Sequence, residues 1–294
     1  MAKLASSRRT FHWVSSSSPK KENELRVLSA QMEDFYTRPE TRAVYQRMID
    51  SEGSFQPLTE QVLARAVLNL CPSSVLEVGC GSGRIYQKLR EHGCQSAYTG
   101  VDLATEVIEE NRRRFPDANW SCGSGYDLSG VEDASQDCVL AYYVLEHCVY
   151  PERFLRSLLR VTRPGGSVIL AFPDFPVARL FGSQRLGLSE GKAREHLQAG
   201  RPFHALVALY DSRVRLPRAL RHARQSVGPF PVNLAPKCLD RQVKIEPDID
   251  AVYLSSREEV MEWAAGLGLK ANFPGGQDGI LRSNVLIHLS KARP

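Results

Sequence analysis

Between residues 75 and 172, short apolar runs alternate with longer amphipathic stretches, and this alternation constrains the fold more than any other feature. Strands that alternate with helices form βαβ units. Helices cover both faces of the resulting parallel sheet, so its strands are continuously apolar. The sequence therefore predicts an α/β fold with a doubly wound, mostly parallel sheet. The apolar runs lie at 75–78, 97–101, 118–122, 138–143 and 167–172, and the helical stretches at 84–92, 104–114 and 151–161.

The alternation stops after Pro173, and the rest of the chain is predicted to form separate segments around an α/β core of residues 71–173. Residues 25–70 have apolar positions at helical spacing that end before Pro72, so we expect an N-terminal helical lid there. The remaining segments are a disordered basic tail at 1–24, a basic helical cap at 174–250, and C-terminal α/β elements at 251–294 that complete the sheet.

Two of these segments contain more specific patterns. In the cap, Pro217 opens one predicted helix, and an earlier predicted helix has one apolar face. In the C-terminal segment, strands are predicted at 251–254 and 285–289, and Ser255 or Ser256 is expected to cap the helix between them. The apolar face of the earlier cap helix consists of Phe203, Leu206, Val207 and Tyr210.

Charge is distributed unevenly along the 294 residues. The formal net charge is +5, but residues 1–21 alone carry five basic residues and no acidic one. Residues 176–245 carry thirteen basic residues and four acidic ones, which leaves a net acidic body. The Arg- and Ser-rich tail is typical of either a disordered terminus or a mitochondrial transit peptide. The basic cap predicts an acidic partner, such as a phosphorylated small molecule.

Cysteine usage and hydropathy exclude several classes of protein. The seven cysteines are scattered and include no C-x-x-C pair, which disfavours a disulfide framework and a zinc site. No run reaches the roughly 18 apolar residues that a membrane span needs. We therefore expect no metal, no membrane span and a cytoplasmic location, with the mitochondrion as the alternative if the tail is a transit peptide.

A glycine-rich turn follows the first strand. Gly79, Gly81 and Gly83 form G-x-G-x-G, and such a turn lets the backbone approach a ligand closely. The dinucleotide fingerprint G-x-G-x-x-G is not met, because Arg84 occupies its third glycine position. Glu77 precedes the turn, and its carboxylate suits a cationic ligand, such as an amino-acid ammonium, better than a pyrophosphate.

Asp102 ends the second predicted strand. A carboxylate at this position accepts hydrogen bonds from both hydroxyls of a ribose. Nicotinamide-dependent enzymes use the same device, so this residue alone leaves a nicotinamide oxidoreductase open.

Four stretches in this order resemble the class I S-adenosylmethionine-dependent methyltransferases, particularly the methyltransferase type 11-like branch that includes quinone-biosynthesis, small-molecule and sugar methyltransferases. The resemblance covers about residues 70–173 and, less distinctly, 251–290. It implies a seven-stranded Rossmann-like sheet with a helical insert, and S-adenosylmethionine as the cofactor. The stretches are VLEVGCGSGRI (75–85), TGVDL (99–103), DCVLAYYVLEH (137–147) and RVTRPGGSVILAF (160–172).

The resemblance also implies roles for individual residues. Gly79, Cys80 and Gly81 would line the methionine part of the cofactor, with Glu77 nearby. Asp102 would hold the ribose and Leu103 would pack on the adenine, while Ala141 and Tyr142 would lie beside the sulfonium.

One position departs from the family pattern, since Ser124 stands where an aspartate usually binds the adenine amino group. Three alternatives follow. Ser124 makes a weaker contact, Asp127 takes over the role, or only the backbone of Gly125 and Tyr126 contacts the base.

His147 is the best candidate for a catalytic base among the seven histidines, because it follows the fourth predicted strand at the rim where acceptors bind in such folds. A base is needed mainly when the acceptor is a hydroxyl that must lose its proton. The alternative is that His147 packs or caps the loop beneath the cofactor.

We therefore expect methyl transfer to an oxygen, or less favourably a nitrogen, of a small molecule or glycan. Two alternatives remain at this stage. One is a cofactor-binding but non-catalytic subunit that acts through its basic cap, and the other is an N-methyltransferase that acts on an acidic partner. A nucleic-acid partner is disfavoured, because no RNA-binding motif accompanies the arginines.

Overall fold

A computed structural model of the protein describes residues 12–52, 57–178, 193–241, 245, 249–276 and 284–292. Its strands are β1 (Trp13–Ser15), β2 (Ser74–Val78), β3 (Ala97–Asp102), β4 (Asn119–Cys122), β5 (Gln136–Tyr142), β6 (Thr162–Pro173), β7 (Pro231–Asn233), β8 (Lys270–Asn272) and β9 (Asn284–Ser290). Its α-helices are α1 (Glu22–Thr37), α2 (Pro39–Glu52), α3 (Pro57–Leu70), α4 (Arg84–Glu91), α5 (Thr105–Arg114), α6 (Pro151–Val161), α7 (Phe175–Ala178), α8 (Ala193–Gln198), α9 (Pro202–Tyr210), α10 (Leu216–Ser226) and α11 (Arg257–Gly266).

The main sheet has seven strands in the order β4-β3-β2-β5-β6-β9-β8. The strands from β4 to β6 are parallel, and β9 runs antiparallel to both β6 and β8. The predicted doubly wound, mostly parallel sheet of seven strands is therefore confirmed. The strand order reverses at β2, whose neighbours are β3 and β5, and ligands of such sheets bind at the carboxyl ends of the strands at this point.

Burial explains why these segments adopt these elements. The central strand β5 is covered on both faces, and its residues from Cys138 to Ala141 are almost completely buried. Helix α6 buries Phe154, Leu158 and Val161 on one face, in agreement with its amphipathic pattern. Removing this much apolar surface from water is the main force that holds helices against the sheet.

The tail predicted to be disordered over residues 1–24 is ordered from residue 12 onward, so that part of the prediction is wrong. Strand β1 pairs antiparallel with β7, and a 3₁₀ helix at Pro19–Lys21 leads into α1. The Ser16 N–H donates to the Phe230 carbonyl at 3.1 Å, and the Leu234 N–H donates to the His12 carbonyl at 2.9 Å. The partner strand lies more than 200 residues away, so local composition did not reveal the pairing. Residues 1–11 lie outside the described residues.

The strand predicted at 251–254 is also wrong. These residues are buried, but they form only one bridge, between Tyr253 and Val232, and do not join the main sheet. Their backbone is satisfied elsewhere, since the N–H groups of Val252 and Tyr253 both donate to the Glu146 carbonyl at 2.9 Å. An apolar run buried on all sides looks like a strand in sequence even when no ladder forms. The strand predicted at 285–289 is confirmed as part of β9.

The longest described part of the cap, residues 193–241, is mostly helical up to residue 226, with Pro217 in the first turn of α10 as predicted. Helix α9 buries Ala205 and Ala208, whereas its larger apolar side chains face outward. Phe203, Leu206 and Tyr210 are 67%, 65% and 54% exposed. None of the described helices combines the length and the apolar character that a membrane crossing requires.

We predict that Trp13→Ala lowers the free energy of unfolding by about 1–3 kcal/mol, because Trp13 is partly buried against the cluster that contains Phe175 and Leu216. Urea unfolding followed by circular dichroism measures the effect. The control, Lys20→Ala at an exposed position, should change the value by less than about 0.5 kcal/mol. Equal stabilities of the two variants would show that β1 is not anchored.

Candidate functional site

A cavity of 820 Å³ opens at the carboxyl ends of the central strands, where the sheet topology places a ligand. The glycine turn after β2, the end of β3 and the segment after β5 all contribute to its wall. Residues of α1 close it from the side of the predicted lid. Its lining includes Gly81, Asp102, Tyr142, His147, Tyr36 and Asp250.

The glycine turn is held by hydrogen bonds from neighbouring elements. The N–H groups of Gly79 and Cys80 donate to the Val101 carbonyl at 2.7 and 3.0 Å. The Gly81 N–H donates to Asp102 Oδ2 at 2.9 Å, and Asn111 Nδ2 donates to the Gly81 carbonyl at 2.7 Å. Strand β3 and helix α5 therefore fix the position of the turn before any ligand arrives.

Gly79 and Gly81 both adopt positive φ angles, +76° and +47°, but for different reasons. A Cβ on Gly79 would overlap Val144 Cγ2, so this glycine is required for packing inside the protein. A Cβ on Gly81 would meet no described atom within 4 Å. Because Gly81 lines the cavity, that open space is available to a ligand that approaches the backbone.

Glu77 lies at the base of the cavity and is 2% exposed. Burial raises the pKa of its carboxyl to about 8, although the hydrogen bond donated by the Tyr98 hydroxyl lowers it in part. At neutral pH the ligand-free carboxyl is therefore mostly protonated. A cationic group in the cavity would favour the ionised form and gain a strong hydrogen bond.

Asp102 accepts hydrogen bonds from the protein backbone and can accept further ones from a ligand. Its Oδ2 accepts the bond from Gly81, and its Oδ1 accepts one from the Ala104 N–H at 3.0 Å. Burial raises the pKa of Asp102, and these backbone N–H groups lower it. Each carboxylate oxygen has two lone pairs, so both oxygens can accept a further hydrogen bond from a hydroxyl in the cavity.

The residues predicted to surround an adenine lie together on the cavity wall. Leu103, Ser124, Gly125 and Tyr126 all line it, whereas Asp127 is absent from its described lining. The Ser124 hydroxyl accepts a hydrogen bond from the Tyr126 N–H at 3.2 Å and can still donate its own proton. A Cβ on Gly125 would come within 2.7 Å of Phe154, so this glycine is also required for packing.

Two of the residues predicted to contact the cofactor are buried, and their contacts with it stay predictions. Ala141 is 1% exposed in the hydrophobic core and is absent from the described cavity lining. Cys80 lines the cavity, although its side chain is buried near Gly100. Tyr142 and Tyr143, which follow Ala141 in the sequence, both line the cavity.

His147 lies in a 3₁₀ helix, Leu145–His147, and is flanked by two buried carboxylates. Its Nδ1 lies 3.4 Å from Asp250 Oδ2, and its Nε2 lies 3.7 Å from Glu146 Oε1. The Tyr36 hydroxyl donates to the same Asp250 Oδ2 at 2.8 Å, and the Tyr36 ring meets the His147 ring edge-on. His147 therefore faces the cavity from within a polar cluster.

Sequence reasoning missed Asp250, which is 2% exposed and ends the segment predicted as the cap. The position of Asp250 at the end of the cap was the feature of the sequence that could have indicated its place in the site. A segment that leaves the sheet at the carboxyl end of β6 must return near the same edge, so an acidic residue at its end lies close to the site.

The comparisons with known proteins agree with this geometry. A sequence model of the methyltransferase domain family matches residues 76–170. The ubiquinone biosynthesis O-methyltransferase of Xanthomonas oryzae pv. oryzae is 30% identical over 140 residues, which cover 44% of this chain and 57% of that enzyme. The mitochondrial ubiquinone biosynthesis O-methyltransferase of Candida albicans is 31% identical over 110 residues, which cover 36% of this chain and 34% of that enzyme.

Among solved structures, a methyltransferase from Thermotoga maritima described as a possible histamine N-methyltransferase has a TM-score of 0.49 and 18% identity. The match covers 89% of this chain and 99% of that one.

Residues 76–170 therefore match the methyltransferase domain family. The chain spans about half the length of the curated relatives from Xanthomonas, 57% in the case quoted.

The two glycines provide a matched pair of variants. We predict that Gly79→Ala destabilises the fold more than Gly81→Ala, because only the first adds a clash to the cost of about 1–2 kcal/mol for a left-handed residue. Gly81→Ala should instead weaken the binding of S-adenosylhomocysteine at least tenfold, since its methyl group enters the cavity. Urea unfolding and calorimetry measure the two effects. Undiminished binding by a folded Gly81→Ala protein would contradict this assignment.

The raised pKa of Glu77 predicts that the stability of the ligand-free protein depends on pH. This pKa is about 8 in the folded protein and ordinarily 4.5, so between these values only the folded state holds the proton. The free energy of unfolding of the ligand-free protein should therefore fall between pH 5 and 8 relative to that of Glu77→Gln. Denaturant unfolding of both proteins across this range measures the difference. Parallel curves would show that Glu77 titrates normally.

Proposed function

We propose that the chain transfers a methyl group from S-adenosylmethionine to a hydroxyl oxygen of a small-molecule or sugar acceptor. The observation that carries the proposal is the position of His147, which lines the same cavity as the glycine turn and contacts a buried carboxylate. A histidine oriented by a carboxylate is the usual arrangement of a general base.

The residues present fit the cofactor. The backbone of Gly79 to Gly81 borders open space that accommodates its methionine part, with Glu77 available for the ammonium. Asp102 has free lone pairs for the ribose hydroxyls. Leu103, Ser124 and the backbone of Gly125 would surround the adenine. When bound, S-adenosylmethionine supplies an electrophilic methyl group on a sulfonium.

The role of the protein is then alignment, exclusion of water and removal of one proton. Asp250 beside Nδ1 of His147 favours the tautomer with a proton on that nitrogen, which leaves Nε2 to accept a proton from the acceptor hydroxyl. The imidazolium formed would be stabilised by Asp250 and Glu146 on either side. His147 would take this proton while the acceptor oxygen bonds to the methyl carbon and the carbon–sulfur bond of the cofactor breaks, which would release S-adenosylhomocysteine.

The charges around the cavity argue against a phosphorylated or otherwise acidic acceptor. None of the described arginines of the cap lines the cavity. Of the three described arginines that line it, Arg42 pairs with Glu106, Arg84 pairs with Glu60, and Arg114 lies over the Phe115 ring. The buried Glu146 and Asp250 instead favour hydrogen-bond donors, such as hydroxyl groups.

The same carboxylates support a second candidate, methylation of an amine. A protonated amine would bind favourably between Glu146 and Asp250, and His147 would then remove its proton. Hydroxyl-bearing and amine acceptors are therefore the two classes to compare in an assay.

We predict that His147→Ala lowers methyl transfer about 10²- to 10⁴-fold and leaves the affinity for S-adenosylhomocysteine unchanged, because the lost group acts on the acceptor. The assay follows labelled methyl groups from S-adenosylmethionine into the small-molecule fraction of a cell extract. Calorimetry measures the affinity. The matched control is His92→Ala, an exposed histidine away from the described cavity lining.

Two results would contradict the proposal. Full turnover by His147→Ala would exclude the base. Binding of S-adenosylhomocysteine by the wild-type protein without methyl transfer to any fraction would favour the non-catalytic alternative.

A further inference from the structure

We propose that Asp250 binds the acceptor directly, through its Oδ1, and thereby selects acceptors that carry a second hydrogen-bond donor next to the group that is methylated. This inference rests on the proposed function, because it assumes that the acceptor binds beside His147.

The first observation is how Asp250 reaches the cavity. It lies in the turn that ends the cap, and the segment after it is tied to the segment of His147 by two backbone hydrogen bonds, from Val252 and Tyr253 to the Glu146 carbonyl. The carboxylate of Asp250 is 2% exposed and lines the cavity. Backbone hydrogen bonds therefore hold the segment that positions Asp250 next to His147.

The second observation is that the two oxygens of this carboxylate differ. Oδ2 accepts the hydrogen bond from Tyr36 and contacts His147. Oδ1 is buried and has no hydrogen-bond partner among the described residues. A buried carboxylate oxygen without a partner is costly, so native structures rarely retain one unless a ligand or another group uses it.

The described charged groups around Asp250 provide no partner for this oxygen. The described ion-pair contact of Asp250 is with His147, and no described lysine or arginine lies within ion-pair distance of it. Tyr36 stays a donor to Oδ2, since burial and then the Asp250 charge raise the pKa of its hydroxyl above the ordinary value. Oδ1 therefore has no hydrogen-bond partner among the described residues, in a side chain that lines the cavity.

The chemistry of a carboxylate defines the ligand group. An ionised carboxylate only accepts hydrogen bonds, so the group that meets Oδ1 must be a donor, such as a hydroxyl or an ammonium. Because Asp250 and His147 are in contact, one small molecule with two neighbouring polar groups can reach both side chains. The acceptor class that meets both conditions is a vicinal diol, as in a sugar, or an amino alcohol.

Asp250→Asn separates this role from a structural one. The asparagine keeps an oxygen for the Tyr36 hydroxyl but replaces the other carboxylate oxygen by an amide NH₂ and removes the charge. We expect the ligand-free variant to unfold at the same temperature as the wild type or at a higher one, because a costly buried charge is lost. Tyr36→Phe, which breaks the same pair from the other side, should lower the unfolding temperature, because it leaves Oδ2 with one bond fewer.

The acceptor arm uses methyl hexopyranosides, their single-deoxy analogues and amino alcohols as probes, with labelled S-adenosylmethionine. We expect the wild type to discriminate at least 10²-fold against the analogue that lacks the neighbouring donor, since a site built to hydrogen-bond a group rejects ligands without it. Asp250→Asn should lose this discrimination through a higher KM for the complete acceptor, beside a lower kcat for every acceptor because the charge next to His147 is lost. Sugar and amino-alcohol probes distinguish the two sources of the donor.

Two results would overturn the inference. One is a lower unfolding temperature for Asp250→Asn, similar to that of Tyr36→Phe, which would assign Asp250 to the fold alone. The other is unchanged discrimination by Asp250→Asn. Failure of the proposed function would give another result. The wild-type protein would then bind S-adenosylhomocysteine but methylate neither the probes nor the extract. The unfolding measurement would still decide the role of Asp250.

Discussion

The hydrogen bond from the Gly81 N–H to Asp102 Oδ2, 2.9 Å long, is the interaction on which the site depends. It joins the turn after β2 to the end of β3, at the point where the strand order of the sheet reverses. Asn111 holds the carbonyl of Gly81 from the other side at 2.7 Å. The turn is therefore fixed before a ligand binds, and the cost of ordering it is met during folding rather than during binding.

The acceptor end of the cavity is assembled differently, from parts of the chain that are far apart in sequence. Tyr36 comes from α1, His147 from the segment after β5, and Asp250 from the end of the cap. These parts meet because the cap returns to the carboxyl edge of the sheet, where its backbone bonds to Glu146. The site for the methyl donor is therefore formed by segments that are close in sequence. The site for the acceptor depends on packing between segments that are far apart in sequence.

This difference explains what the sequence could predict. The order and type of the core strands, the glycine turn and the place of Asp102 follow from patterns within a few dozen residues. The pairing of β1 with β7 and the approach of Asp250 to His147 depend on contacts between distant segments, which leave no periodic signal. Neighbouring strand residues such as Ala141 and Tyr142 face opposite sides of the sheet, and the sequence does not show which of the two sides borders the cavity.

Calorimetric titration of the wild-type protein with S-adenosylmethionine, its demethylated product and NAD tests the central claim most directly. Glu77, the glycine turn and Asp102 together predict one site per chain for the first two ligands, no binding of NAD, and loss of binding in Asp102→Ala. Binding of NAD, or the absence of binding by both S-adenosyl compounds to the folded wild-type protein, would contradict the account.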